Sequence, residues 1–158
     1  MVRVLFVCSG NICRSPMAHA IFQDLVQKAG LEAQVEVDSA GTGSWHVGES
    51  PHRGTLRELE RHDIPFMHRA RQIRRADLAR YDYILAMDED NLANLRYLAD
   101  HQTQPRRVHI GLFLNFAPQS GVREVPDPYY SGRFAEVYDL VSQASEGLLL
   151  HLREQHNL

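Results

Sequence analysis

Residues 2–16 read Val-Arg-Val-Leu-Phe-Val-Cys-Ser-Gly-Asn-Ile-Cys-Arg-Ser-Pro, and this stretch decides the fold. Val2 to Val7 is an apolar, β-branched run that stops at Ser9-Gly10-Asn11, and Pro16 then opens an amphipathic stretch through Lys28, ended by Gly30. The expected order is strand, loop, helix. Between strand and helix lies Cys8-Ser9-Gly10-Asn11-Ile12-Cys13-Arg14-Ser15, of the form C-x5-R-S. A loop closing onto a helix N-terminus turns backbone N–H groups toward a shared centre, and the helix dipole adds positive potential there. Gly10 and Asn11 are the residue types that best tolerate the left-handed angles of so tight a cradle.

The same field favours the anionic form of the Cys8 sulfur, making it a nucleophile without a histidine partner. Arg14 offers a planar fork that binds two phosphate oxygens at once. Ser15 can hydrogen-bond the sulfur. A Walker-type nucleotide loop is excluded because Gly-Lys-Ser/Thr is missing. A zinc site from Cys8, Cys13 and His19 lacks a second ligand pair at finger-like spacing.

Working outward, Gln34 to Asp38 alternates like a second strand, and Ser39 to Ser44 reads as a flexible loop leading to the only tryptophan, Trp45. Arg53 to His62 is a helix with Leu56 and Leu59 on one face. Tyr83 to Met87 is a third, buried strand, with Asp88 as N-cap of a helix through Leu98. Arg107 to Ile110 is a weaker fourth strand. A final helix runs from about Gly132 to about Glu154, with Phe134, Val137, Leu140, Val141, Leu148 and Leu152 as its apolar stripe. Strands alternating with helices imply an α/β fold: one domain over 1–158, an open twisted parallel four-stranded sheet with helices on both faces. Ligands in such folds bind beyond the carboxyl ends of the strands, where Cys8 sits.

Composition narrows the partners. With 44% hydrophobic and 23% charged residues, the 158-residue chain has the makeup of a globular protein. A formal charge of -3 argues against nucleic acid. The short apolar run before Cys8 is neither a signal peptide nor a membrane span, so a cytoplasmic protein is expected. Two cysteines close together in a reducing compartment point to catalytic, redox-sensing or metal-binding use rather than a structural disulfide.

The blocks Val7 to Pro16, Asp38-Ser39-Ala40-Gly41-Thr42, Ala70-Arg71-Gln72, Asp82 to Asp88 and Asp127-Pro128-Tyr129-Tyr130 together resemble the low-molecular-weight protein tyrosine phosphatases, in that family's order and over nearly the whole chain. The resemblance implies hydrolysis of phosphotyrosine and small aryl phosphates through a phosphocysteine on Cys8, with no metal or other cofactor. Phosphotyrosine proteins would be substrates, and inorganic phosphate both product and competitive ligand. Ser9, Gly10, Asn11, Ile12, Cys13 and Ser15 would line the phosphate loop, and Trp45, Tyr129 and Tyr130 the pocket walls. Asn11, Ser15, Ser39 and His68 would hold the loop in place. Asp127 would be the general acid: Pro126 and Pro128 stiffen its loop, and the conjugate acid of a phenolate leaving group, with a pKa of about 10, demands a proton donor. His19 stands where the family usually has an acidic residue.

Two related activities use the same loop. Arsenate reductases need further cysteines, and none follows Cys13. Relatives that are protein arginine phosphatases carry Thr where this chain has Ile12, so the apolar residue favours tyrosine. A binding module without catalysis is disfavoured by the presence of Cys8, Arg14 and Asp127 together. Cys13 is the one thiol able to condense with an oxidised Cys8.

Overall fold

A computed structural model describes residues 1–100 and 107–158. Its strands are β1 (Val2–Cys8), β2 (Val35–Gly41), β3 (Tyr83–Ala86) and β4 (His109–Leu112), and its helices are α1 (Arg14–Lys28), α2 (Arg53–Arg61), α3 (Arg75–Arg80), α4 (Glu89–Asp100), α5 (Pro128–Ser131) and α6 (Phe134–His156). All strands run parallel in the order β2-β1-β3-β4. The chain leaves β1 to build β2 on one side and returns past β1 to build β3 on the other. Strand order therefore reverses at β1, whose carboxyl end opens into a crevice that no crossover covers.

The pleat of β1 sorts its side chains between two cores. Val4, Phe6 and Cys8 face a layer containing Met17 and Phe22 of α1 and Val141 and Leu148 of α6. Leu5 and Val7 face Leu78 of α3 and Leu92 and Leu95 of α4. Both faces are dry, and full burial of side chains such as Phe6, Phe22 and Leu5 contributes about 1.5–3 kcal/mol each. The helices on both faces are thus as expected.

Several boundaries differ from the sequence reading. Helix α1 starts at Arg14, because Pro16 lacks only an N–H that the first helical turn does not use. Strand β2 runs on to Gly41: Ser39, Ala40 and Gly41 pair with Phe6, Val7 and Cys8 and are no flexible loop. Strand β4 lies two residues later than expected, paired with β3 from His109 to Leu112. Helices α3 and α5 are too short for a periodic signal. Asp88 is the expected N-cap, its Oδ1 accepting from the Asn91 N–H at 2.8 Å.

Helix α6 packs against a 3₁₀ turn at Phe113–Phe116. A Cβ added at Gly147 would overlap the carbonyl oxygen of Phe116. Alanine is favoured over glycine in a helix by about 1 kcal/mol. Gly147→Ala should nevertheless destabilise the protein by about 1–3 kcal/mol, the usual cost of overpacking. Urea unfolding measures this, and an unchanged or raised midpoint would contradict the packing described.

Candidate active site

The loop from Cys8 to Cys13 turns back on itself through Asn11, whose φ of 58° is left-handed. Gly10 does not share that conformation, contrary to expectation. Its lack of a side chain serves packing instead, because a Cβ there would come within 2.8 Å of the His46 ring. Gly41 at the end of β2 is needed for a similar reason, since a Cβ would lie 2.7 Å from the Ser9 carbonyl oxygen.

At the floor of the loop, Cys8 Sγ accepts from the Asn11 N–H at 3.3 Å and lies 3.0 Å from Ser15 Oγ. Asn11 ties the loop to its surroundings. Its Nδ2 donates to Ser15 Oγ at 2.8 Å, while Oδ1 accepts from the Arg71 N–H at 3.0 Å and lies 2.9 Å from His68 Nε2. A backbone N–H can only donate, so the amide orientation is set and His68 Nε2 carries a hydrogen. Ser39 Oγ lies 3.3 Å from the same nitrogen and 3.0 Å from His19 Nδ1. With His68 Nε2 a donor, the Ser39 hydroxyl is free to give its hydrogen to His19 Nδ1 in the tautomer that leaves a lone pair there. A continuous chain of hydrogen bonds thus runs from His19 through Ser39, His68, Asn11 and Ser15 to the Cys8 sulfur.

Arg14 is buried, with one nitrogen 2.6 Å from Asp88 Oδ2 and 3.1 Å from the Val125 carbonyl oxygen. Its other terminal nitrogen lies 3.5 Å from Ser9 Oγ and 3.7 Å from Asp127 Oδ2. Burial works against the guanidinium charge, but Cys8, Asp88 and Asp127 together outweigh it and raise the pKa above the ordinary arginine value. The cation is permanent. Burial, with help from Cys8 and Asp127, pushes the Cys13 thiol up to about 12, so it stays protonated beside its reactive neighbour.

Asp127 caps α5, its Oδ1 accepting from the Tyr129 N–H at 3.1 Å. A pocket of about 820 Å³ gathers Cys8, Arg14 and Asp127 at its base with Ile12, Trp45 and Tyr129 around them, and Tyr130 at its edge. Trp45 is 71% exposed and folds over Gly43, consistent with a wall rather than a core residue. Tyr129 packs edge-on to His52 and Tyr130 with centroids 5.8 and 5.2 Å away.

His19 is buried and its pKa falls to about 4, chiefly through burial, with Asp38 opposing and His68 and Arg71 adding to the fall. His68 is lowered too, again mainly by burial. The network therefore stands neutral at neutral pH.

Every residue proposed from the sequence lies at the pocket, in the loop or in the network behind it. Asp88, Asn91 and Arg71 were missed as parts of the site. Asn91 Nδ2 donates to Ser9 Oγ at 3.1 Å, and Arg71 bridges Asp38 and Asp77. Asp88 carries a readable signal, two residues past the end of the central strand β3, but its capping role masks it.

Residues 3–158 match the family described as low molecular weight phosphotyrosine protein phosphatase. The low molecular weight protein-tyrosine-phosphatase YfkJ of Bacillus subtilis is 46% identical, with 100% of each chain covered. The crystal structure of YfkJ is similar at a TM-score of 0.92 and 47% identity, covering 98% of this chain and 96% of that one. That of DARP, a drosophila arginine phosphatase, is similar at 0.90 and 37% identity, covering 95% and 97%. With a matching family over almost its full length, close relatives of the same length, and the phosphate loop assembled as described, the chain belongs to the low molecular weight phosphotyrosine protein phosphatases.

Proposed function

We propose that this chain, as one domain, hydrolyses phosphotyrosine in proteins through a phosphocysteine on Cys8. The observation that carries this reading is the convergence of the Cys8 sulfur, the Arg14 guanidinium and the Asp127 carboxyl group on one pocket with aromatic walls. The Cys8 thiolate attacks phosphorus, and the tyrosine oxygen departs with the proton of Asp127. Water then attacks the phosphocysteine, Asp127 takes a proton from it, and the sulfur leaves as a thiolate stabilised by the Ser15 hydroxyl. Inorganic phosphate is the product, and it competes for the same cradle. Arg14 and the loop N–H groups balance the charge of the transferring group throughout.

Depth supports the substrate class. Cys8 is only 2% exposed, at the base of walls formed by Trp45 and Tyr129, so a long flat aryl phosphate reaches it better than phosphoserine. Hydrolysis of phosphoarginine is the second reading, favoured by the likeness to the drosophila arginine phosphatase. The buried apolar side chain of Ile12 within the phosphate loop speaks for tyrosine.

A cytoplasmic location suits a pair of free cysteines. Among the described residues, no helix is long and apolar enough to cross a membrane. Oxidation by peroxide suits the same pair: peroxide gives one oxygen to the Cys8 sulfur and leaves as water, and the resulting sulfenic acid condenses with the Cys13 thiol to a disulfide and a second water. Loss of the Cys8 negative charge removes one of the causes that hold Cys13 protonated.

Cys8→Ser should cut turnover by more than about a thousandfold while phosphate still binds, read by steady-state kinetics and calorimetry. Asp127→Ala should cost about 100-fold on phosphotyrosine and far less on a nitrophenyl ester, whose leaving group needs little protonation. Equal losses on both substrates would rule out the general acid. Ile12→Thr should raise the ratio of kcat/KM for phosphoarginine over phosphotyrosine peptides, and an unchanged ratio would show that discrimination lies elsewhere.

A further inference from the structure

Behind the loop, one cluster carries more ligand capacity than its hydrogen bonds use. His19 Nδ1 and His68 Nε2 flank Ser39 Oγ at 3.0 and 3.3 Å, with their rings edge to face at 5.2 Å. Asp38 Oδ1 lies 3.9 Å from His19 Nδ1. One ligand atom from each of His19, Asp38 and His68 falls within 4.8 Å of the others. Arg71 holds the other Asp38 oxygen, Oδ2, from its Nε at 3.2 Å, which leaves Oδ1 turned to the imidazoles. That guanidinium is balanced a second time by Asp77, so a dication here does not face an unpaired positive charge.

Two imidazoles and one carboxylate, completed by water as a further ligand, are the donors that suit zinc and its neighbours. Metal–ligand bonds of about 2.0–2.2 Å require the three atoms to close to about 3.4 Å apart, a shift within the reach of side-chain torsions. We propose that His19, Asp38 and His68 form a binding site for a divalent transition metal of the zinc type, and that its occupation disables the phosphate loop by drawing His68 away from Asn11.

The protonation states suit the ligands, since burial keeps both imidazoles neutral at neutral pH. In the His19 tautomer with a lone pair on Nδ1, a metal there displaces only the Ser39 hydroxyl hydrogen. His68 must move its hydrogen from Nε2 to Nδ1, a tautomer change that releases no proton and gives up the bond to Asn11 Oδ1. Asn11 then keeps the Arg71 N–H alone on that oxygen, and its hold on Ser15 and the Cys8 sulfur slackens. The path in from solvent passes Asp38, whose side chain is 30% exposed, while His19 is the buried inner ligand. The inhibitory effect rests on Cys8 being the nucleophile; the binding does not.

The test is zinc titration of the Cys8→Ser protein by calorimetry, with Co²⁺ spectra alongside, so that the reactive sulfur is not available as a ligand. One equivalent should bind, the Co²⁺ spectrum should show nitrogen and oxygen ligands with no thiolate charge-transfer band, and Tm should rise. His19→Gln and Asp38→Asn should each weaken binding by at least about 10-fold, with circular dichroism confirming the fold of both. In the enzyme retaining Cys8, zinc should inhibit aryl phosphate hydrolysis and a chelator should reverse it. Absence of saturable binding, a thiolate band, or affinity unchanged in both variants would overturn the proposal. Binding in Cys8→Ser is read without turnover, so the metal site and the phosphatase reading stand or fall separately.

Discussion

The active end of this molecule depends on one asparagine. Asn11 takes a left-handed backbone angle that costs an ordinary residue roughly 1–2 kcal/mol, and it holds that angle because its side chain is bonded on both sides. One arm reaches Ser15 at the start of α1, and the other reaches Arg71 and His68 in a segment about sixty positions along the chain. The loop is thus fastened to the helix it precedes and to a remote stretch of coil. Removing that fastening would leave the Cys8 sulfur in a flexible turn, where neither the Asn11 N–H nor the Ser15 hydroxyl stays in place.

Around this point the charges are arranged in alternating shells. The Cys8 sulfur faces Arg14, and Arg14 in turn faces Asp88 and Asp127. Farther out, Arg71 stands between Asp38 and Asp77. Each of these guanidiniums, Arg14 buried and Arg71 partly so, has more than one carboxylate, so neither bears its desolvation penalty alone. The histidines contribute no charge. They transmit position, and the hydrogen on His68 Nε2 is assigned by the backbone N–H that shares its acceptor.

What could be read from the sequence follows the range of the interactions. The strand, loop and helix from Val2 to Lys28 are local: an apolar run, a left-handed Asn and a proline in the first helical turn are signals within a few residues of one another. The family resemblance extended this to Asp127, Trp45 and His68, which no local pattern would have joined to Cys8. Asp88, Asn91 and Arg71 escaped because their partners are distant and because capping or surface ion pairs explain such residues equally well. Ser39 to Gly41 looked like a flexible loop from its small residues. In the fold those same small residues let β2 run alongside β1 as far as Cys8, and the lack of a side chain at Gly41 leaves room for the turn of the phosphate loop.

Arg14 is held by Asp88 across 74 positions and by Val125 across 111. A ribosome releases the first strand, the loop and the first helix long before either partner exists. During synthesis the nascent chain therefore carries a cysteine and an arginine that are not yet aimed at anything. Strand β1 lacks its second neighbour until β3 arrives, and the guanidinium is not locked until the segment carrying Val125 and Asp127 has been made. Reactivity at Cys8 thus reports on completion of the chain, and fragments truncated before residue 125 should carry an ordinary, unaimed thiol in place of a poised one.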